Sequence, residues 1–352
     1  MRSMMAGLMV AVGSANLCVA AEGLTGTLVV LNKAEASASL LDCATGREIK
    51  RLPTGAGPHE VAVSPDGATA VIADYGTREP GHTLTVIDLA RQEIRRTIDL
   101  KEHHRPHGLQ FLPGGKRVVV TAEHEQFVLV VEIATGTIEH AIPTGQRVSH
   151  MLVISPDAKR VFVANIGSGN VSVINLDSAA VIATVPTGRG AEGIDISPDG
   201  REVWVGNRGQ DTLSVIDAAT LKVVATLPCA SFPIRVKFTP DGVHVLVSNA
   251  RSGDVAVFDA AQRKEIRRIG MGETAADDRE DRLFRDRFGK SPVPVGILIA
   301  PGGGLAFVAN TNADVVSVID LANWTIARRL TAGREPDGLA YSPLVLGALT
   351  QE

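Results

Sequence analysis

A unit of about 42 residues recurs seven times along the chain, and this repetition restricts the fold more than any other feature. The unit is clearest from Ser197 to Pro228, where a Ser-Pro-Asp-Gly turn precedes three short runs of β-branched and apolar residues. Such runs between turn residues predict strands. Four of the six spacings between the prolines that mark this turn are 42 or 43 residues. The marker prolines are Pro65, Pro113, Pro156, Pro198, Pro240, Pro301 and Pro343.

Each unit predicts four strands, which is the size of one propeller blade. The chain opens at Leu28 with strands two to four of a unit, and it closes with a first strand from Glu335 to Pro343. These fragments are complementary, so the C-terminal strand is expected to complete the N-terminal blade. The predicted fold is all-β: a seven-bladed β-propeller of four-stranded antiparallel blades, without a free edge between the first and last blade.

The repeats resemble a known family. The units read GxxPxG…SPDG…VFVAN…VSVIDxxT…VxATxPTG, and from Leu28 to about Pro343 they are similar to the YVTN-type repeats of YncE-like periplasmic propeller proteins. The resemblance implies the propeller fold. Similar repeats also occur in the propellers of haem-type nitrite reductases, quinoprotein dehydrogenases and lactonases, so the resemblance does not imply one activity.

The N-terminus has the form of a secretory signal peptide. Arg2 precedes an apolar run from Met4 to Val12, and Val19-Ala20-Ala21 fits a cleavage site before Glu22. We therefore expect residues 1–21 to be a signal peptide, residues 22–352 to be a single propeller, and the protein to be periplasmic or secreted. No other segment is apolar and long enough to span a bilayer, so no transmembrane segment is expected.

Two insertions interrupt the period. One adds about six residues around Thr77 to His82, in a predicted loop between strands two and three. The other lies at about residues 273–292, where charges and the pair Phe284 and Phe288 predict a short surface helix. The second insertion is either a solvated decoration or an element that covers a site or docks a partner.

A set of histidines and carboxylates occupies equivalent positions in five blades. These residues lie six positions before the marker proline, where the first strand of a blade enters the central channel; the other two blades have Ile234 and Val295 there. Imidazole and carboxylate are ligands for transition metals, so this arc predicts a metal or catalytic site. A polar, water-filled channel mouth is the alternative. The arc consists of His59, His107, His150, Glu192 and Asp337.

A second set lies nine positions before the marker proline and predicts a basic collar that binds a carboxylate or phosphate. Its alternative is ordinary solvation of loop side chains. The predicted ligand-binding residues are Arg147, Arg189, Arg334 and His104, together with His124 from a neighbouring loop.

Other repeated polar residues are interpreted as structural. The asparagines that end strand two, such as Asn165 and Asn207, are predicted to be turn residues that satisfy backbone groups, and Asp74 stands in the same slot. Cys43 and Cys229 fall on non-adjacent units, so they are expected to be free thiols rather than a disulfide.

Composition and missing motifs limit the function. A net charge of −4 and an aromatic content of 4% disfavour a nucleic-acid partner. The sequence has no glycine-rich phosphate loop, GxSxG, HExxH or CxxCH motif, and no catalytic residue is assigned. The first interpretation is an exported module that binds a small ligand or a periplasmic protein through its loop-rich axial face. The alternative is a metal- or tetrapyrrole-dependent enzyme or redox accessory protein that uses the arc, with a transition metal ion as its cofactor.

Overall fold

Seven four-stranded antiparallel sheets form a closed ring, which confirms the predicted fold class. The computed structural model describes residues 24–274, 282–284 and 287–347. The predicted signal peptide, residues 1–21, lies outside the described residues. Within the described ranges, no helix is both long and apolar enough to cross a membrane.

The strands run from the axis outward in every blade. Blade 1 contains β28 (Pro336–Ser342), β1 (Thr27–Asn32), β2 (Ser37–Asp42) and β3 (Glu48–Pro53), with a short 3-10 helix (Lys33–Glu35) between β1 and β2. Blade 2 contains β4 (Pro58–Val63), β5 (Thr69–Gly76), β6 (Pro80–Asp88) and β7 (Glu93–Asp99). Blade 3 contains β8 (Pro106–Phe111), β9 (Arg117–Ala122), β10 (Phe127–Glu132) and β11 (Ile138–Pro143).

The remaining four blades repeat this order. Blade 4 contains β12 (Ser149–Ile154), β13 (Arg160–Asn165), β14 (Asn170–Asn175) and β15 (Ala180–Pro186). Blade 5 contains β16 (Ala191–Ile196), β17 (Glu202–Asn207), β18 (Thr212–Asp217) and β19 (Lys222–Pro228). Blade 6 contains β20 (Pro233–Phe238), β21 (His244–Asn249), β22 (Asp254–Asp259) and β23 (Lys264–Gly270). Blade 7 contains β24 (Pro294–Ile299), β25 (Leu305–Asn310), β26 (Val315–Asp320) and β27 (Thr325–Thr331).

The first blade is closed as predicted, by pairing of the two ends of the chain. Strand β28 is antiparallel to β1, in register from Thr27 opposite Ser342 to Val30 opposite Leu339. The backbone groups of both terminal strands are thereby satisfied, and the ring has no open edge between its first and last blades.

The hydrophobic core lies between neighbouring blades. One cluster joins blades 4 and 5, through residues such as Phe162, Val173 and Val205. Another joins blades 5 and 6 around Trp204, which is fully buried. The two middle strands of a blade are covered on both faces, which explains why they read as nearly continuous apolar runs in the sequence.

Glycines let the innermost strands approach one another at the axis. A Cβ on Gly108 of β8 would lie 2.7 Å from the carbonyl oxygen of His150 on β12. A Cβ on Gly338 of β28 would lie 2.6 Å from the carbonyl oxygen of His59 on β4. Real Cβ atoms do not tolerate such distances, so only glycine fits here. Equivalent glycines stand in blades 5 and 7, at Gly193 and Gly296.

The asparagines that end strand two do more than stabilise turns. Their side-chain amides donate to hydroxyl groups on strand three, as Asn165 does to Ser172 at 2.9 Å and Asn207 does to Ser214 at 2.9 Å. The prediction that they mainly satisfy backbone groups was therefore incomplete. Both side chains are fully buried, so these bonds replace water that the amides lose on folding.

Asp74 occupies the same slot in blade 2 and places a carboxylate where other blades have an amide. It accepts hydrogen bonds from the Gly55 amide at 3.0 Å, Thr83 at 2.8 Å and Thr85 at 2.9 Å. Burial raises the pKa of Asp74 to about 6, although these hydrogen bonds act in the opposite direction. The folded protein therefore retains a proton on Asp74 at a pH where the unfolded chain has lost it.

Both insertions contribute to structure near the axis. The first was predicted to be a loop between strands two and three. It also extends the paired part of the β5–β6 hairpin, where Gly76 pairs with Pro80. The second is described at residues 282–284 and 287–290, where Phe288 is buried against Phe232 in a small apolar cluster. The centre of the predicted surface helix lies outside the described residues.

Cys43 and Cys229 are free thiols, as predicted, and both are buried. Burial raises the pKa of the Cys43 and Cys229 thiols to about 12, which keeps both protonated and unreactive.

We predict that Asp74→Asn stabilises the protein at neutral pH. An asparagine retains an acceptor for the Gly55 amide, and the Thr83 and Thr85 hydroxyls can reverse and accept from its amide. The carboxylate penalty is absent well below pH 3.8, where both states carry the proton, is still small at pH 4, and is fully present only above about pH 6. A shift from 3.8 to about 6 corresponds to about 3 kcal/mol at pH 7.

Urea unfolding at pH 4 and pH 7 measures this effect. The gain of the variant over the wild type should be small at pH 4 and should grow toward pH 7. Asp177→Asn, at an exposed position, serves as the control and should show no such growth. A gain that does not depend on pH would contradict the explanation.

Candidate functional site at the axial mouth

Two equivalent positions in each blade supply the side chains at one end of the central channel. The first is the second residue of the innermost strand, which provides the histidine and carboxylate arc predicted from the sequence. The second is the residue that follows the buried slot at the end of strand two. In the first five blades this position holds Lys33, Tyr75, Glu123, Ile166 and Arg208. Both positions open at the same face because the first two strands of a blade are antiparallel and paired.

The three histidines of the arc lie side by side. The ring centroids of His59 and His107 are 4.2 Å apart, and those of His107 and His150 are 3.5 Å apart. Tyr75 contacts the edge of this stack, with its ring 5.0 Å from His59 and 5.5 Å from His107. The ring structure therefore brings together residues that are 43 to 48 positions apart in the chain.

One end of the arc is a buried ion pair. Asp337 Oδ2 lies 2.8 Å from His59 Nδ1 and 3.0 Å from Lys33 Nζ. Lys33 also contacts His59 Nε2. Burial opposes ionisation of Asp337, but the charges of His59 and Lys33 hold its pKa well below the ordinary value. Burial also lowers the pKa of His59, although the carboxylate of Asp337 acts in the opposite direction.

The other end of the arc is a network of carboxylates and guanidinium groups. Glu192 lies 3.3 Å from His150 Nε2 and 3.6 Å from Arg235 Nη1, and it also pairs with Arg208. Arg235 is only 3% exposed and pairs with Glu60 of blade 2 across the channel. Burial would raise the pKa of Glu192, but Arg208 and His150 hold it below the ordinary value.

His150 is held between two carboxylates. Its Nδ1 contacts Glu123 and its Nε2 contacts Glu192. Burial alone would lower the pKa of His150, but Glu123 and Glu192 outweigh burial and raise it above the ordinary value. Glu123 also accepts a hydrogen bond of 2.8 Å from the Tyr75 hydroxyl.

His107, in the middle of the arc, is different from its neighbours. It is fully buried, and neither of its ring nitrogens has a hydrogen-bond partner among the described residues. Burial and the neighbouring histidines lower its pKa well below the ordinary value, so the ring is neutral. A buried imidazole with unpaired nitrogens is costly unless a further group binds to it.

Donor atoms suited to a metal ion converge at this point. Ligand atoms of His107, Glu123 and His150 all lie within 4.8 Å of one another, and so do those of His59, Glu60 and His107. Two imidazoles and one carboxylate form a donor set used by zinc and by non-haem iron.

A cavity of about 610 Å³ opens above the arc. His59 and His150 line this cavity, whereas the fully buried His107 does not reach it. The second insertion forms part of the wall through Leu283, Phe284 and Arg287, which favours its interpretation as a cover over a site rather than a solvated decoration. The remaining apolar wall consists of Ala34, Val148, Ile166, Ile234 and Val295.

The predicted basic collar does not converge on this cavity. The guanidinium groups of Arg147 and Arg189 donate to the carbonyl oxygens of Gly167 at 2.8 Å and Gly209 at 2.7 Å. They line a separate surface groove, and Arg334 is exposed. His104 and His124 form a cluster of their own with Glu125, at the rim of the ring.

Sequence reasoning missed the second set of axial residues. Arg235 stands next to the apolar Ile234 that occupied the predicted slot, and its signal was one of the two charges in the run IRVKF, the other being Lys237. The residue after the end of strand two also differs from blade to blade, and this difference was the signal for the rest of the set. The position holds Lys33, Tyr75, Glu123 and Arg208.

Family-model comparisons match two overlapping parts of the chain. Residues 2–128 match the YNCE-like beta-propeller family, and residues 115–236 match the Cytochrome D1 heme domain. Each match covers about a third of the chain. No curated protein matches the sequence.

Solved structures share the fold at low sequence identity. Hydrazine synthase of Kuenenia stuttgartiensis superposes with a TM-score of 0.67 and 20% identity, covering 84% of this chain and 93% of that chain. A protein of unknown function from Desulfotomaculum acetoxidans superposes with a TM-score of 0.74 and 13% identity, covering 90% and 99%. At these identities the similarity supports the fold alone.

We predict that Glu192→Gln destabilises the protein by about 3–5 kcal/mol, since it leaves Arg208 and Arg235 undercompensated in a buried network. Urea unfolding measures this. Glu139→Gln removes the exposed partner of Arg117, 3.3 Å away, and should change stability by less than about 0.5 kcal/mol. Equal effects of the two substitutions would show that the axial network is not a buried electrostatic unit.

Proposed function

We propose that this chain, a YncE-like β-propeller by its family-model match and its seven-bladed ring, is a periplasmic binding protein whose axial cavity takes a small organic anion. Export rests on the sequence of residues 1–21 and on the periplasmic location typical of YncE-like propellers. The cavity volume of about 610 Å³ falls within the range of small-molecule sites.

The observation that carries this proposal is a set of arginines that line the cavity and form no ion pair within the described ranges. Arg78, Arg105 and Arg287 line the cavity, and none of them pairs with a carboxylate among the described residues. Arg105 instead lies over the Tyr75 ring at 4.7 Å. Guanidinium groups held in this way present donors that match a carboxylate or phosphate.

The apolar lining of the cavity indicates that part of the ligand is non-polar. Apolar side chains from blades 4, 6 and 7 and from the second insertion face the cavity, as Val148, Ile234 and Phe284 illustrate. An anion with an apolar body would bury that body against them and leave its charged groups at the arginines. Carboxylate-bearing tetrapyrroles and fatty acids both have this form.

A metal- or tetrapyrrole-dependent function is the second candidate. Two observations favour it: the Cytochrome D1 heme domain match over residues 115–236, and the buried His107, whose ring nitrogens have no hydrogen-bond partner in the described part of the chain. The walls and arginines fit a macrocycle and its carboxylates. The cavity-facing His59 and His150 are already engaged with Asp337, Lys33, Glu123 and Glu192, so the described residues do not offer a preformed axial ligand for iron.

A single metal ion is the other form of this candidate. His107, Glu123 and His150 would hold it, and the ion would supply a Lewis acid or a redox centre below the cavity floor. Tyr75 would orient Glu123 through its hydrogen bond, and Glu192 would orient His150.

We predict that the wild type binds protoporphyrin IX or oleate saturably, since both combine an apolar body with carboxylates. Absorbance or fluorescence titration measures the affinity. The double variant Arg105→Gln/Arg287→Gln should bind at least about 10-fold more weakly. Arg147→Gln, which removes an exposed arginine outside the cavity, is the control and should bind as the wild type does. No saturable binding of either probe, or equal binding by the double variant, would contradict the proposal.

We predict about one equivalent of a transition metal at the axial triad in protein purified without chelator or affinity tag. The measurement is elemental analysis in a background that carries His104→Gln and His124→Gln, which removes the imidazoles at the rim. Adding His107→Gln should abolish the bound metal, whereas adding His140→Gln, at an exposed position, should not. A metal-free protein that stays so after zinc, copper and manganese are offered would exclude the metal version of the second candidate.

A further inference from the structure

We propose that the ligand of the axial cavity carries two anionic groups at opposite ends of an apolar body, and that Arg105 and Arg287 each bind one of them. This inference rests on the proposed function, because it concerns the same cavity. It narrows the ligand from an organic anion to an elongated dianion, of which an α,ω-dicarboxylate is the simplest form.

Each of the two arginines is held against an aromatic ring. The guanidinium carbon of Arg105 lies 4.7 Å from the centre of the Tyr75 ring. The guanidinium carbon of Arg287 lies 5.3 Å from the centre of the Phe232 ring. Contact with a ring orients a guanidinium group without neutralising its charge. Arg105 is half-buried and Arg287 is exposed, so both are accessible to a ligand.

The two arginines belong to opposite sides of the cavity. Arg105 lies on the loop that leads into β8 of blade 3, and Phe232, which holds Arg287, lies on the loop that leads into β20 of blade 6. Three blades separate these loops in one direction around the ring and four in the other, so they are as far apart as two such loops can be. Both arginines nevertheless line the same cavity. A single ligand can therefore contact both only if its anionic groups are separated.

Most charged groups of the cavity lining already have a partner of opposite charge. An incoming anion would have to compete with these contacts, which makes their cations poor sites for it. The pairs are Lys33 with Asp337, Arg208 with Glu192, Arg235 with Glu60, and His150 with Glu123.

The other charged side chains of the lining are three arginines and one carboxylate. Arg78, Arg105 and Arg287 form no ion pair within the part of the chain that the structure describes. The carboxylate, Glu335, accepts a hydrogen bond from the backbone amide of Leu283. Positive charge is thus in excess by two in this part of the lining, which a dianion balances and a monoanion does not.

Apolar side chains lie along the cavity between the two arginines. Val148 and Ile166 come from loops of blade 4, within the shorter arc from blade 3 to blade 6. Ala34 and Val295 line the cavity from the longer arc. An aliphatic chain that joins two carboxylates would bury its surface against these side chains while its ends reach the arginines.

Calorimetric titration of the wild-type protein tests this inference without any substitution. Octanedioate, dodecanedioate and hexadecanedioate are each compared with their own monomethyl ester, which removes one charge at the same chain length. We expect at least one dicarboxylate to bind with one equivalent per chain and at least about 10-fold more tightly than its monoester, since the monoester loses one charge-assisted contact.

Substitution of the arginines assigns the two ends of the ligand. Arg105→Gln and Arg287→Gln should each weaken the tightest dicarboxylate about 10-fold and bring its affinity close to that of the monoester. Arg147→Gln is the matched control, because this exposed arginine lies outside the cavity and bonds to the Gly167 carbonyl oxygen. It should leave the affinity unchanged, and urea unfolding checks that all three variants are folded.

The outcomes separate this inference from the proposed function. Saturable binding in which dicarboxylate and monoester have equal affinity would overturn the dianion and leave the binding of an organic anion standing. Loss of affinity in only one of the two cavity variants, or an equal loss in Arg147→Gln, would overturn it in the same way. Failure of every dicarboxylate and monoester to bind, together with protoporphyrin IX and oleate, would overturn both.

Discussion

The pairing of β28 with β1 is the interaction on which the rest of the structure depends. It joins residues more than 300 positions apart and turns a row of blades into a ring. It also brings β28 to the axis, so that Asp337 reaches Lys33 and His59 from blades 1 and 2. Without closure the axial arc would lose one end and the two terminal strands would expose unpaired backbone groups.

Closure also determines the electrostatics of the axis. Charged groups from blades 1, 2, 5 and 6 meet where water is largely excluded, so each needs an opposite charge nearby. The pairs of Asp337 with Lys33 and of Arg235 with Glu60 meet that need. His107 stands between them as a neutral ring without a partner among the described residues, and it is therefore the residue that most favours an added ligand.

Residues that repeat from blade to blade and residues that differ between blades have separate roles in this molecule. Apolar strands recur in all seven blades, and the buried asparagines and the axial glycines recur in several of them. The axial cavity uses positions where individual blades differ, such as Glu123 and Arg208.

The sequence by itself determined the number of blades, the strand order, the closure of the first blade and the histidine arc. These follow from local patterns repeated at a fixed period, and closure follows from complementary fragments at the two ends. Only the tertiary structure decided which side chains meet. Arg235 reaches Glu60 across the channel, the insertion supplies Phe284 to the cavity wall, and Arg147 bonds to a neighbouring loop instead of lining the cavity. Such contacts depend on the curvature of the ring and on side-chain direction, and no one-dimensional spacing encodes either of them.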